Sequence, residues 1–250
     1  MWTVVGEVFG GSHRMFLEPL QSVGESLKWE KQKEVEWLGS SQEMGSVSTW
    51  SPNFWRKDLE EKLIQYMTAQ IPLFGSSSNT DETALKQHLN QLETTFLPSL
   101  EDRGGVFKEA GLLVTYARCC HASLSSHLSM LTDSNHFSFS QCLLVYEWGL
   151  KMYERETCLR PRQTSQHSLS LDVQCLMWIV LKTEEKLLAV TQKEVGKALK
   201  EAFDTGKPHC ADAAVIQMLT EKMEAACRVS ESLSEKVEAV CLEECLRFLE

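Results

Sequence analysis

The sequence predicts an all-α protein, an elongated stack of antiparallel helical bundles, and three observations lead there. Apolar residues recur every three or four positions over most of the chain, the period of helices that each bury one face. Helix breakers are nearly absent from the C-terminal third, where Gly196, Gly206 and Pro208 are the interruptions after residue 169. Runs with the two-residue alternation of strands are scarce. Helices of this kind, joined by short connections, pack side by side in antiparallel pairs.

Each element follows from its own pattern. Residues 1–22 form a lead-in whose order the sequence leaves open, and a helical-bundle region takes 23–250, with sub-bundles expected at 53–155 and 169–250. Val23 to Leu38 reads as one amphipathic helix with Leu27, Val35 and Leu38 inward. Glu30, Glu34 and Glu36, set among Lys31 and Lys33, read as its solvated face. Gly39 to Ser51 is a Ser/Gly-rich connection. Ser51-Pro52 then supplies a helix start, with serine as N-cap and proline in the first turn. The helix that follows sets Trp55, Leu59, Leu63 and Met67 on one side and ends near Pro72 to Gly75. After a loop at Ser76 to Thr80, Asp81 caps a helix whose seam is Leu85, Leu89, Leu92 and Phe96.

Pro98 and Gly104-Gly105 are expected to break the chain. One helix then spans Phe107 to Leu131, with Phe107, Ala110, Val114, Ala117, His121, Leu124, Leu128 and Leu131 on its seam. Ser138 and Gln141 pair as a capping box for a helix that carries Leu144, Trp148 and Tyr153. A polar loop at Arg160 to Ser168 leads to two long helices. Leu176, Val180, Leu187, Val195, Leu199 and Phe203 mark the stripe of the first. Val215, Leu219, Met223, Ala226, Leu233, Val237, Val240 and Leu249 mark the next.

With 250 residues and 43% hydrophobic residues the chain has enough apolar material for a core. Its longest near-continuous apolar run, Cys175 to Leu181, falls far short of the ~20 residues a spanning helix needs. Met1 to Gly11 contains Glu7, has no basic lead and no long apolar stretch, and so does not read as a secretory signal. The expectation is a cytoplasmic protein with no transmembrane segment and at most peripheral membrane contact. Nine cysteines, an odd number, with Cys175, Cys227 and Cys241 on stripes expected to be buried, read as reduced thiols. A formal net charge of −10 argues against nucleic acid as a partner, because phosphate binding requires clustered Lys and Arg.

Three groups of residues invite a functional reading. Cys119-Cys120-His121 carries metal-ligating side chains, but neighbours on a helix point about 100° apart and cannot share one ion. Further ligands would have to come from His209-Cys210, or from Cys241 and Cys245, which stand four apart on one helical face. No metal is therefore expected; the thiols read as buried and free, and His121 as packed on its seam. Nucleophilic catalysis needs a Cys or Ser beside a His and an orienting acid. The chain has no Gly-x-Ser-x-Gly turn, no phosphate-cradling glycine loop and no His-Glu-x-x-His, and Gly10-Gly11 and Gly104-Gly105 are turn chemistry. The reading is non-enzymatic, with no catalytic residue and no cofactor.

Trp148 and Tyr153, five apart and so roughly 140° apart around a helix, are either structural or a partner-binding pair. Glu221, Glu224, Glu231 and Glu235, with Glu238, Glu243 and Glu244, give the C-terminal helices an acidic surface. It suits a basic partner, against the plainer reading of a solvated face.

Several blocks also stand in a colinear order. Tyr116-x4-His121-x2-Leu124 is followed by Trp148-x-Leu150-x2-Tyr153. Upstream, Leu27-x-Trp29-Glu30 leads to Trp50-Ser51-Pro52 and Trp55-Arg56-Lys57. Downstream come Val215-x-Gln217-Met218, Ala225-Ala226, Val229-Ser230, Leu233, Lys236-Val237, Cys241-Leu242 and Phe248-Leu249. From about Val23 to Glu250 this order resembles the Sec-six family, which includes the third exocyst complex component, its component 3-like relatives and tumour necrosis factor alpha-induced protein 2.

The resemblance implies a rod of the tethering-complex type. It implies a non-enzymatic scaffold in exocytosis that tethers vesicles at the plasma membrane by binding exocyst subunits and SNARE proteins. The induced-protein branch implies instead a regulator of actin-linked membrane protrusions, with a small GTPase as partner. Family members are far longer. This chain is expected to stop where further C-terminal bundles would follow, and to lack both an N-terminal coiled-coil arm and a basic phosphoinositide-binding segment.

Overall fold

The computed structural model describes residues 2–10, 13–40, 54–74, 82–132, 137–159, 173–204 and 208–249, and every regular element within them is helical. The helices are α1 (Trp2–Phe9), α2 (Leu17–Ser40), α3 (Trp55–Gln70), α4 (Glu82–Gln91), α5 (Leu97–Glu109), α6 (Leu113–Thr132), α7 (Phe139–Leu159), α8 (Val173–Asp204), α9 (Pro208–Val229) and α10 (Glu231–Leu249). A 3-10 turn at His13–Phe16 precedes α2, and a π-helical turn at Leu92–Phe96 joins α4 to α5. The all-α expectation holds. The expected helix start at Ser51-Pro52, the loop at Ser76 to Thr80, the Asp81 cap and the loop at Arg160 to Ser168 lie outside the described residues.

The chain forms two compact units. The first takes the described residues of Met1–Leu73 and Asn90–His127; the second takes those of Phe74–Leu89, Leu128–Leu159 and Val173–Glu250.

In the first unit, α3 buries Leu59, Leu63 and Met67, the stripe its spacing predicts. Around it stand Val5, Val8 and Phe9 of α1, Leu20, Val23 and Leu27 of α2, Leu97, Leu100 and Phe107 of α5, and Tyr116 and Leu124 of α6, all buried. Aromatic rings fill the centre. Phe107 and Tyr116 stack with centroids 4.3 Å apart, and Phe9 stacks on Tyr66 at 5.5 Å. The Tyr116 hydroxyl donates to the Leu100 carbonyl at 3.0 Å, which satisfies a polar group that burial would otherwise penalise. Helix α2 can lie against the end of α5 because position 24 is glycine: a Cβ there would overlap the Ala110 carbonyl oxygen.

Several expectations fail in this unit. Helix α2 begins at Leu17, not Val23, with Glu18 and Pro19 both in the first turn, where acid and proline are favoured. Its Val35 is 63% exposed rather than inward. Pro98 and Gly104-Gly105 do not break the chain. The π turn just before Pro98 widens the helix where the proline has no N–H to give, and α5 runs on to Glu109.

The break comes instead at Gly111, whose φ of +70° is left-handed. There Leu112 N–H donates to the Phe107 carbonyl at 2.8 Å and Gly111 N–H to the Lys108 carbonyl at 2.9 Å, the two bonds of a Schellman cap. The helix restarts at Leu113 in a new phase. Val114 is consequently 78% exposed and His121 only half-buried, while Tyr116, Cys119, Cys120 and Ser123 take the inward face.

In the second unit, the capping box forms as its spacing predicts. Ser138 N–H donates to Gln141 Oε1 at 3.0 Å, and Gln141 N–H donates to Ser138 Oγ at 3.3 Å. Helix α7 packs on α8 closely at Gly149, where a Cβ would sit 3.3 Å from Val180 Cγ2. Leu176, Val180, Leu187 and Val195 of α8 are buried, as are Val215 and Ala226 of α9 and Leu233, Val237 and Cys241 of α10. Phe203, placed on that stripe by spacing, is exposed; at the end of α8 it meets Phe248 edge-on with centroids 5.8 Å apart. Leu85 and His88 of α4 are buried in the same unit, with the His88 ring 5.2 Å from that of Phe74.

Candidate functional site

Helices α7 and α9 of the second unit form the walls of a groove of about 690 Å³, closed at one side by Glu82 and Lys86 of α4. The spacing of apolar residues dictates its floor. On α7, Leu143 and Leu144 follow Phe139 by one turn. On α9, Met218, Ala225 and Val229 recur over three turns. Phe139 is buried and the other five are half-buried, so the floor meets solvent along its length.

At the head of the groove lies a buried charge cluster. Lys222 is 7% exposed, and its ammonium binds the Glu194 carboxylate and sits 4.2 Å above the Phe139 ring. Glu194 also accepts from Phe139 N–H at 3.2 Å, adding a carboxylate to the N-terminus of α7. Carboxylate and ring together compensate the desolvated ammonium. Sequence reasoning missed this pair, although Lys222 one position after the outward Glu221 was a signal: on a helix wheel it falls beside the buried Ala226.

The acidic surface is present where the sequence places it. Glu221 and Glu224 on α9 and Glu231 and Glu235 on α10 are all exposed, as is Glu238. Among the described residues none of the five meets a cation within ion-pair distance; Glu221 accepts only from the Gln217 amide, at 2.9 Å. Nearby carboxylates are neutralised: Glu184 by Lys236 at 2.6 Å, and Glu243 and Glu244 by Arg247 at 3.0 and 2.9 Å. The hydrogen bond from Lys236 to Glu184 holds that ammonium's pKa above its ordinary value.

The aromatic pair divides. Trp148 is 7% exposed and so does not belong to an open partner surface, and its indole Nε1 has no hydrogen-bond acceptor among the described residues. Tyr153 is half-buried. Neither residue lines the groove.

Cys119 and Cys120 are buried thiols on α6, and burial pushes both up to about 12. Cys119 Sγ donates to the Glu60 carbonyl at 3.7 Å. Cys241 is buried and pushed up to about 11, while Cys245 on the same helix is half-exposed. Among the described residues no cluster of three or more His, Cys, Asp or Glu side chains is placed to hold a metal ion. The side chains of His209 and Cys210 lie outside the described residues.

In the first unit, one member of the expected solvated face turns inward. Glu30 is 6% exposed, and its two oxygens accept from Trp55 N–H at 2.8 Å and Arg56 N–H at 3.2 Å, the first amides of α3. Phe54, at the N-cap with φ 54°, offers no side-chain cap, so the glutamate of another helix supplies it. Glu34 and Glu36 are exposed, as expected. A pocket of about 230 Å³ beside the cap is bordered by Lys31, Arg56, Lys57 and the Arg118–Glu60 pair, 3.3 Å apart.

Among the described residues no helix is long and apolar enough to cross a membrane. No protein-family model matches the chain, and no curated protein does. Among solved structures, the crystal structure of M-Sec is similar at 14% identity and a TM-score of 0.37, over 98% of this chain and 45% of that one. The chain thus spans less than half of that protein, and at such a TM-score the likeness carries no conclusion.

Proposed function

We propose that this protein is a non-enzymatic helical scaffold that acts in exocytosis, tethering vesicles at the plasma membrane by binding exocyst subunits and SNARE proteins. The observation that carries the binding half is the surface of α9 and α10, where Glu221, Glu224, Glu231, Glu235 and Glu238 stand exposed without cationic partners among the described residues. Carboxylates left uncompensated on a rigid helix pair steer and select a basic partner, and contribute more to association rate and specificity than to folding. The exocytosis half is supported by the colinear blocks that resemble the Sec-six family.

The test is affinity purification of the full chain from secreting cells, in parallel with a variant carrying Glu221→Lys, Glu224→Lys, Glu231→Lys and Glu235→Lys. Exocyst subunits or SNARE proteins are expected with the parent and lost with the variant. Recovery of a small GTPase and actin regulators in their place would move the assignment to a regulator of actin-linked membrane protrusions. Equal recovery on both chains would remove the acidic surface from the account.

A further inference from the structure

We propose that the groove between α7 and α9 receives a single amphipathic helix of a partner protein, apolar on the face that enters the groove and basic along its flank. This deepens the scaffold reading and rests on it. Phe139, Leu143 and Leu144 on one wall face Met218, Ala225 and Val229 on the other. The walls run for two to three turns, roughly 10–16 Å at the rise of an α-helix, which matches a partner segment of about three turns. The apolar part of the floor, about 16 Å along α9 and about 8 Å along α7 and open to solvent, suits the i, i+3, i+4 anchors of a docked helix.

Charge decides which kind of helix. Lys222 is neutralised by Glu194, and Glu147 by Lys151 at 2.6 Å. Arg228 points its Nε at the Glu224 carbonyl, 3.3 Å away. Among the described residues, what remains uncompensated in the groove lining is Glu82 and Glu221 against Lys86 and Arg228, and beyond it, from Glu224 of α9 to Glu231, Glu235 and Glu238 of α10, uncompensated carboxylates alone. A basic flank meets an excess of carboxylates there, and an acidic flank is repelled.

The experiment uses the full chain and two synthetic helical peptides with the same leucine stripe, one flanked by lysines and one by glutamates. Binding is read by fluorescence anisotropy at physiological salt. The lysine peptide is expected to bind at least about tenfold more tightly than the glutamate peptide. Ala225→Trp, which fills the groove, and the double variant Glu221→Gln with Glu224→Gln should each weaken it by about tenfold. A control, Glu18→Gln with Glu25→Gln on α2, should leave it unchanged. Leu144→Lys, at a half-buried floor position, repeats the test should Ala225→Trp lose its helical circular dichroism.

Equal affinity for the two peptides, equal loss in the control, or no loss in either floor variant would overturn the proposal. So would sedimentation showing that the chain pairs with itself through the groove, a dimer that Ala225→Trp dissolves. Peptide docking together with failed recovery of exocytic partners from cells would keep the groove and remove the tethering role; the reverse result would remove the groove alone.

Discussion

Replacing Glu30 with alanine tests whether α3 is held at its start by a residue of another helix. The substitution removes acceptors at 2.8 and 3.2 Å from the Trp55 and Arg56 amides. Losing an N-terminal cap costs about 0.5–2 kcal/mol, and a part-buried carboxylate at a helix N-terminus contributes up to about 2 kcal/mol more. Glu30 is almost fully buried and Phe54 supplies no replacement cap, so the upper half applies: about 2–3 kcal/mol for Glu30→Ala, a melting point lower by roughly 5–10 °C. Glu30→Gln keeps one acceptor in place and should lose about half as much. Urea denaturation gives the energy, and hydrogen exchange at the Trp55 and Arg56 amides gives the location. Stability within about 0.5 kcal/mol of the parent, the range of an ordinary surface substitution, would refute the cap. Unchanged protection of both amides would do the same.

The Lys222–Glu194 pair should respond asymmetrically. Glu194→Gln strands a buried ammonium and should cost about 2–3 kcal/mol, whereas Lys222→Met leaves a more exposed carboxylate still bonded to Phe139 N–H and should cost under about 1 kcal/mol; urea midpoints in the opposite order would exclude this reading. Two glycines should move stability in opposite directions: Gly111→Ala strains a left-handed position and loses about 1 kcal/mol, while Gly105→Ala, with open space at its Cβ, gains about 0.5–1 kcal/mol in thermal melts.

Burial lifts Cys119, Cys120 and Cys142 from the ordinary 9.0 to about 12. Native thiol labelling at pH 8 should therefore modify exposed Cys227 well before these three, as read by mass spectrometry. Because the unfolded thiols ionise first, their contribution to stability is intact below pH 9 and declines as pH rises towards 12, which alkaline melts at successive pH values would show. Buried His88 has its pKa lowered by burial, so its share is present above 6.5 and is lost as pH falls below that value.

Much of the fold is legible because local spacing determines it. Leu59, Leu63 and Met67 bury as a stripe, and Ser138 and Gln141 cap each other across three residues; both patterns need no information beyond one helix. What the sequence hides is set by distant partners or by backbone conformation. Glu30 looks like its solvated neighbours until a helix start 25 residues later presents two open amides to it. Gly111 sits among residues that read as one continuous helix, and only its left-handed backbone shows why Val114 faces solvent.

The candidate site divides the same way. Exposed carboxylates at 221, 224, 231 and 235 follow from helical phase. The groove beside them requires α7 and α9 to be brought together, and Trp148 looks available in the sequence because its burial depends on packing between helices.

The π turn at Leu92–Phe96 widens the inward face of its helix by one position. An ordinary helix gains 100° per residue, so a stripe through Leu85, Leu89, Leu92 and Phe96 that continued unbroken would carry the next inward slot to Phe96 plus three or four, at Ser99 or Leu100. One surplus residue in the wide turn allows Phe96 and Leu97 both to face inward, and from Leu97 the inward series runs through Leu100, Gly104 and Phe107. Within α5, Leu97, Leu100, Gly104 and Phe107 share the inward face, so an insertion or deletion between Leu97 and Phe107 would turn that ring away from its stack with Tyr116.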